Sequence, residues 1–172
     1  MRSIVYAVIL LILLGGYWFF SGHYNAGTLV ERTRRDEIST VRKDDPDMAA
    51  AYRKAKETLP EFLALARAPR PTITQLAVKI GIPASDDRTE YFWLTQVGQH
   101  GNRYTGRINN TPRAAKVTFG QVIQFSEAEI VDWLYMEGGK MRGNFTACAM
   151  LKREPADQAE AMRKEFGLSC DP

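Results

Sequence analysis

The chain has 172 residues, of which 45% are hydrophobic, 25% charged and 10% aromatic, ordinary proportions for a globular protein. Lys and Arg number 23 against 20 Asp and Glu, a net charge of +3, and this balance argues against a nucleic-acid binder that relies on a large basic excess. With two histidines and two cysteines in all, no CxxC or HExxH spacing exists, so neither a metal nor a cofactor is expected.

Residues 3–20, SIVYAVILLILLGGYWFF, carry no charge. As a helix the run reaches about 27 Å, enough for the hydrocarbon core of a bilayer. Tyr17 and Trp18 stand where interfacial aromatics collect, and Arg2 marks the other end. The SGHYNAG that follows offers a poor cleavage site, so residues 1–21 are expected to stay attached as a transmembrane anchor. The alternative is a cleaved signal peptide that leaves a soluble periplasmic protein. Residues 22–44 read as a polar linker in which Arg32, Arg34, Arg35, Arg42 and Lys43 alternate with acids. Counted by the positive-inside rule, the nearer arginines would keep the domain in the cytoplasm. The cysteine pair discussed below favours the outer side of the inner membrane, and that location is the expectation.

One α+β domain is expected over residues 45–172. Asp44-Asp45-Pro46, an acidic cap with proline in the first turn, marks the start of a helix. Met48, Tyr52, Ala55, Leu59, Phe62, Leu63 and Ala66 then recur along one stripe. Pro60, with Thr58 to Glu61 as a fresh capping box, predicts a kink or two short helices. Beyond Pro69 and Pro71 the period changes to two. Residues 72–80, 90–97, 103–108, 121–125, 129–137 and 142–151 are rich in β-branched and aromatic side chains between Gly, Asn, Asp or Pro boundaries. They predict a mainly antiparallel sheet of five to six strands, since their separations are short. A final helix is expected from about Pro155 to Phe166, with Ala159, Met162 and Phe166 on one face and Gly167 as its stop.

His100 lies in the turn Gln99-His100-Gly101-Asn102 and reads as a solvated residue. Cys148 and Cys170 are expected to form a disulfide between a strand and the segment after the last helix, closing a loop of about twenty residues. At Asp132 two readings compete, and the hairpin register bears on both. A three-residue loop, Gly138-Gly139-Lys140, sets Trp133 against Phe145, Val131 against Ala147 and Asp132 against Thr146. A two-residue Gly-Gly loop sets Trp133 opposite Asn144 and Asp132 opposite Phe145, mixing polar with apolar, so the three-residue register is expected. Asp132 then needs hydrogen-bond donors, with Thr146 and Asn144 nearest, and becomes a buried structural hub; a catalytic role is the alternative. Asp132, Trp133, Tyr135, Asn144 and Thr146 are the candidate binding residues, and no catalytic set is read.

Several segments carry a family resemblance. They are Asp45-Pro46-Asp47-Met48, Glu90-Tyr91-Phe92-Trp93, Tyr104 through Pro112, Gly120-Gln121-Val122, Ile130 through Tyr135, and Gly143-Asn144-Phe145-Thr146. Together they resemble the YegJ-like bacterial family, domain of unknown function 2314, over most of residues 44–170. The resemblance implies an α+β domain, often behind a signal or anchor, and supplies no catalytic residues to carry over. The function expected is a binding or interaction module without catalysis, displayed from the inner membrane. The membrane and a protein are its expected partners, and nucleic acid is not. Tyr91, Trp93, Trp133 and Tyr135 are aromatics suited to such a surface. Two alternatives stand beside it: a hydrolase-like enzyme using Asp132 with Glu90 or Glu129, and a toxin-neutralising immunity protein.

Overall fold

The computed structural model describes residues 45–84 and 88–170. The expected anchor and linker, residues 1–44, lie outside the described residues. Helix α1 (Pro46–Arg67) starts as its sequence dictates. Asp45 Oδ1 accepts from Met48 N at 2.9 Å, and Pro46 occupies the first turn, where a missing N–H leaves no helical bond unmade. The Asp45 carboxylate is also ion-paired with Arg153. The two short helices allowed for at Pro60 do not form, and the helix runs through it as one element. Leu59, Phe62 and Leu63 on either side are all buried, and packing of that stripe sustains the helix across the missing hydrogen bond.

Six strands follow: β1 (Ile73–Pro83), β2 (Thr89–His100), β3 (Arg103–Ile108), β4 (Val122–Phe125), β5 (Ile130–Glu137) and β6 (Lys140–Gly143). They form one antiparallel sheet in the order β4-β3-β2-β1-β5-β6. Gln75 and Gln96 have φ of 54° and 52°, and they fall where the register shifts between Thr74 and Ala77 and between Thr95 and Gly98. Bulges of this kind bend a strand and increase its local twist. Ala55, Leu59, Phe62 and Leu63 of α1 share one core with Val78, Ile80, Phe92, Leu94 and Trp133 of the sheet. Phe62 stacks on Trp133 with ring centroids 5.1 Å apart, and Trp133 Nε1 donates to the Ala55 carbonyl at 3.0 Å. The largest core aromatic is thereby packed and hydrogen-bonded at once.

The chain departs from expectation after Gly139. Gly138 and Gly139 have φ of 57° and 77°, values suited to a two-residue hairpin loop whose twist matches that of its strands. Pairing runs from Glu137 with Lys140 to Leu134 with Gly143, so the three-residue register is not adopted. Nor do residues 142–151 form a strand. β6 ends at Gly143, Asn144 takes a left-handed conformation, and the chain enters helix α2 (Phe145–Leu151). Matching faces favours the three-residue loop only while pairing continues to Ala147. Because the strand stops early, the mismatches expected of the two-residue loop never arise.

Gly143 is the pivot of this turn. Its φ is +78°, and a Cβ there would overlap the Trp133 carbonyl oxygen and indole ring. Gly143→Ala is expected to lower stability by more than about 2 kcal/mol, from positive φ and overlap together. Urea denaturation followed by tryptophan fluorescence checks this. An unchanged midpoint would mean that the β6–α2 junction does not depend on glycine.

Helix α3 (Ala156–Phe166) ends as expected at Gly167, which has φ 61°. Leu151, Ala159, Met162 and Leu168 make a small second core beneath it. Cys148 and Cys170 are disulfide-bonded with Cα atoms 5.5 Å apart. Since Cys148 lies in α2 and not in a strand, the bond ties the segment after α3 to a neighbouring helix.

Candidate functional site: a lysine–threonine–aspartate cluster under exposed tyrosine

A helix leaves its first N–H groups without partners inside the helix. In α2 the local cap residue, Asn144, makes no side-chain capping bond. Asp132, on the neighbouring strand, supplies the cap instead. Its Oδ1 accepts from Trp133 N at 2.9 Å and Phe145 N at 3.3 Å, and its Oδ2 accepts from Thr146 N at 2.9 Å and Thr146 Oγ1 at 2.6 Å. The carboxylate is fully buried, which is tolerable because every near contact is a donor.

Thr146 Oγ1 accepts in turn from Lys79 Nζ at 2.7 Å. Lys79 sits in mid-sheet, paired with Trp93 on β2 and with Asp132 on β5. Its ammonium lies 4.6 Å from the Trp93 ring centroid, within cation–π range. Burial pushes the Lys79 ammonium down from the usual lysine range, and the Asp132 charge opposes that shift. Burial likewise pushes the Asp132 carboxyl up, against the opposing pull of Lys79 and of the Thr146 and Trp133 hydrogen bonds. The two charges thus make each other tolerable, with the Thr146 hydroxyl oriented between them.

Trp93, which lies against Lys79, shares a face of β2 with Tyr91, two positions away. Tyr91 is 36% exposed, and its ring centroid lies 6.4 Å from that of half-buried Tyr52. Burial raises the Tyr52 hydroxyl far above the usual tyrosine range, and the hydrogen bond with Tyr91 adds to the shift. Trp93 and Lys79 are partly exposed beside them.

The other candidates occupy different places. Trp133 is buried, stacked on Phe62 and on Tyr135 at 5.9 Å and edge-on to Phe145 at 5.3 Å. Tyr135 is half-buried in that same stack. Asn144 does not reach Asp132; its Nδ2 donates to Met141 Sδ at 3.3 Å. Lys79 and its link through Thr146 to Asp132 escape sequence reasoning, and Tyr52 reads only as part of the α1 stripe, although Lys79 is the one charged residue in ITQLAVKIGIP, an oddity in a strand with so apolar a middle.

Neither of the other carboxylates proposed to work with Asp132 joins it. Glu129 accepts from Ser126 N at 2.7 Å and Ser126 Oγ at 2.6 Å, closing the short 3₁₀ turn Glu127–Glu129. Glu90 accepts from Arg113 N at 2.8 Å, Ala114 N at 3.0 Å and Ala115 N at 2.8 Å, pinning the loop between β3 and β4. Burial pushes the Glu90 carboxyl up, but the three N–H donors and the Arg113 charge together outweigh it and hold the group below the usual glutamate range. A depressed carboxyl stabilises the fold above its unfolded value, about pH 4.3, and that contribution is lost as pH falls through the folded value. Acidification is therefore expected to release residues 113–115, and Glu90→Gln to release them at neutral pH. Hydrogen exchange, corrected for intrinsic rate, reads both effects. Protection that persists at pH 3 would mean that the loop is held by something else.

These features define a class: a small α+β domain with a six-stranded antiparallel sheet, helices at both ends, and a buried aspartate that caps a helix from a neighbouring strand. The chain belongs to the bacterial family described as "Uncharacterized protein conserved in bacteria (DUF2314)", which matches residues 45–170. It is 30% identical over 132 residues to "Uncharacterized protein YegJ" of Escherichia coli (strain K12), covering 76% of this chain and 84% of that protein. No solved structure matches it.

Proposed function

We propose that the protein is a binding module tethered to the inner membrane, with its domain on the extracytoplasmic side and a protein partner that docks at Tyr91. One observation carries the non-catalytic part of this reading. Asp132, Glu90 and Glu129, the carboxylates that the sequence offers for a hydrolase-like mechanism around Asp132, each have backbone N–H groups as partners. A carboxylate spent on capping is poorly placed to exchange protons with a substrate. The Cys148–Cys170 bond supports the compartment, because such bonds persist where thiols are oxidised. The charge-free run at residues 3–20 supports the tether.

Tyr91 supports the docking position. Tyrosine and tryptophan are enriched at the energetic centres of interfaces, and here Trp93 lies against Lys79 of the internally bonded Lys79–Thr146–Asp132 cluster while Tyr91, two positions away on β2, lies beside Tyr52. Such a surface loses little conformational entropy on binding. A photo-crosslinking amino acid at Tyr91, in cells expressing the full chain, tests the reading. One discrete adduct is expected at Tyr91 and none from the same group at Glu61, an exposed position on α1. Identical adduct patterns at the two positions, or none at either, would contradict it.

A further inference from the structure

An open cavity of about 560 Å³ is lined in part by Cys170 of the disulfide and shares no lining residue with the cluster just described. Lys140, Arg163 and Lys164 line it together with Ser169 and the chain from Gly167 to Cys170. Among the described residues, no acidic side chain lines it.

Helix polarity explains part of this charge. Arg163 and Lys164 are in the last turn of α3, where cations suit the helix dipole. It does not explain Lys140, which arrives on β6 from the hairpin. The acid opposite Lys140, Glu137, is ion-paired elsewhere, with Arg70 at 2.8 Å. Arg163 has only a loose contact with Glu160 at 4.0 Å, with both side chains exposed, so it is barely neutralised. Two separate elements thus bring three cations to one concavity.

The wall is fixed in place. Met141 N donates to the Gly167 carbonyl at 2.7 Å, and Ser169 N donates to the Met141 carbonyl at 3.4 Å. Leu168 is buried between them, and Cys170 is bonded to Cys148. The cationic groups therefore surround a backbone that is already ordered, which lowers the cost of binding.

We propose that this cavity binds a phosphate-bearing anion through the Lys140 and Lys164 ammonium groups, the Arg163 guanidinium and the Ser169 hydroxyl. Three cations and a hydroxyl donor suit a multiply charged tetrahedral oxyanion better than a single carboxylate, and guanidinium matches phosphate oxygens in pairs. The phosphate could be free in solution or could belong to an anionic lipid headgroup. The inference is independent of docking at Tyr91.

Acetylation footprinting of the full chain in phosphatidylcholine nanodiscs tests it and separates the two sources. One arm adds millimolar inorganic phosphate, and the other replaces part of the lipid with phosphatidylglycerol. Lys140 and Lys164 are expected to be protected about fivefold in at least one arm, relative to exposed Lys54 and Lys56 on α1. Arg163→Glu, an exposed substitution, is expected to abolish the protection, and Cys148→Ser to weaken it by loosening the wall. Protection in the phosphate arm assigns a soluble ligand, and protection only in the phosphatidylglycerol arm assigns a headgroup. No protection in either arm beyond that given by chloride at equal ionic strength would overturn the proposal. So would protection that Arg163→Glu leaves intact.

Discussion

Asp132→Ala is expected to lower the unfolding free energy by about 3–5 kcal/mol, chiefly because several buried donors are stranded at once. Three backbone N–H groups and the Thr146 hydroxyl lose their acceptor at once. Lys79 is left without the opposing charge that stabilises its ammonium. Stranded buried donors cost about 1–3 kcal/mol each when nothing replaces the acceptor. The total stays below their simple sum because α2 can fray and admit water. Asp132→Asn is expected to keep the fold at a smaller cost, about 1–3 kcal/mol. Its amide oxygen can serve Trp133 N and Phe145 N, but its amide nitrogen then faces the Thr146 donors. Denaturant midpoints of the two variants test the ordering. Equal, small losses for both would mean that the carboxylate does not hold α2 on the sheet.

Removing the disulfide is expected to have the next largest effect. Cys148 and Cys170 are 22 positions apart, and freeing a loop of that length costs about 2–4 kcal/mol, largely through the entropy of the unfolded chain. The consequence in the native state is regional. The small core of Leu151, Ala159, Met162 and Leu168 is a separate cluster from the main one under α1. Cys148→Ser should therefore speed hydrogen exchange across α3 and the following tail well before it affects β1 and β2. Uniform loss of protection would mean that the two cores unfold as one unit. Mass spectrometry of unreduced, alkylated protein checks the bond directly, and two alkylated thiols would refute it.

What the sequence reveals depends on the range of the interaction. The start of α1 is legible because Asp45, Pro46 and Met48 are neighbours. So are the presence and order of β1 through β5, although β1 and β2 run past their expected ends to Pro83 and His100, the latter expected in a turn, and so is the stop of α3 at Gly167. Burial of Asp132 and its bond to Thr146 are also legible, since both hairpin registers bring residues 144–146 close to it. The helical state of residues 145–151 is not. Phe145, Thr146 and Cys148 suit a strand by composition, and the helix is set by left-handed Asn144, by Gly143 against Trp133, and by a carboxylate 13 positions from its first donor in α2. Lys79 is harder still. Its bond to Thr146 spans 67 positions, and only its oddity in an apolar stretch hints at a buried partner. At Pro60 the opposite holds for the reading of two short helices, since a local helix-breaking signal yields to packing of the stripe around it and the helix stays one element.

The most direct test of the account is a pair of reporters fused after Pro172 of the full chain, one an alkaline phosphatase active only outside the cytoplasm and the other a fluorescent protein active only inside. The disulfide and the proposed docking of an extracytoplasmic partner at Tyr91 both require the domain to lie outside. Active phosphatase in the membrane fraction, with a dark fluorescent fusion, is the predicted result. A fluorescent fusion with inactive phosphatase would place the domain in the cytoplasm, as the arginines of residues 22–44 would have it, and would contradict the account.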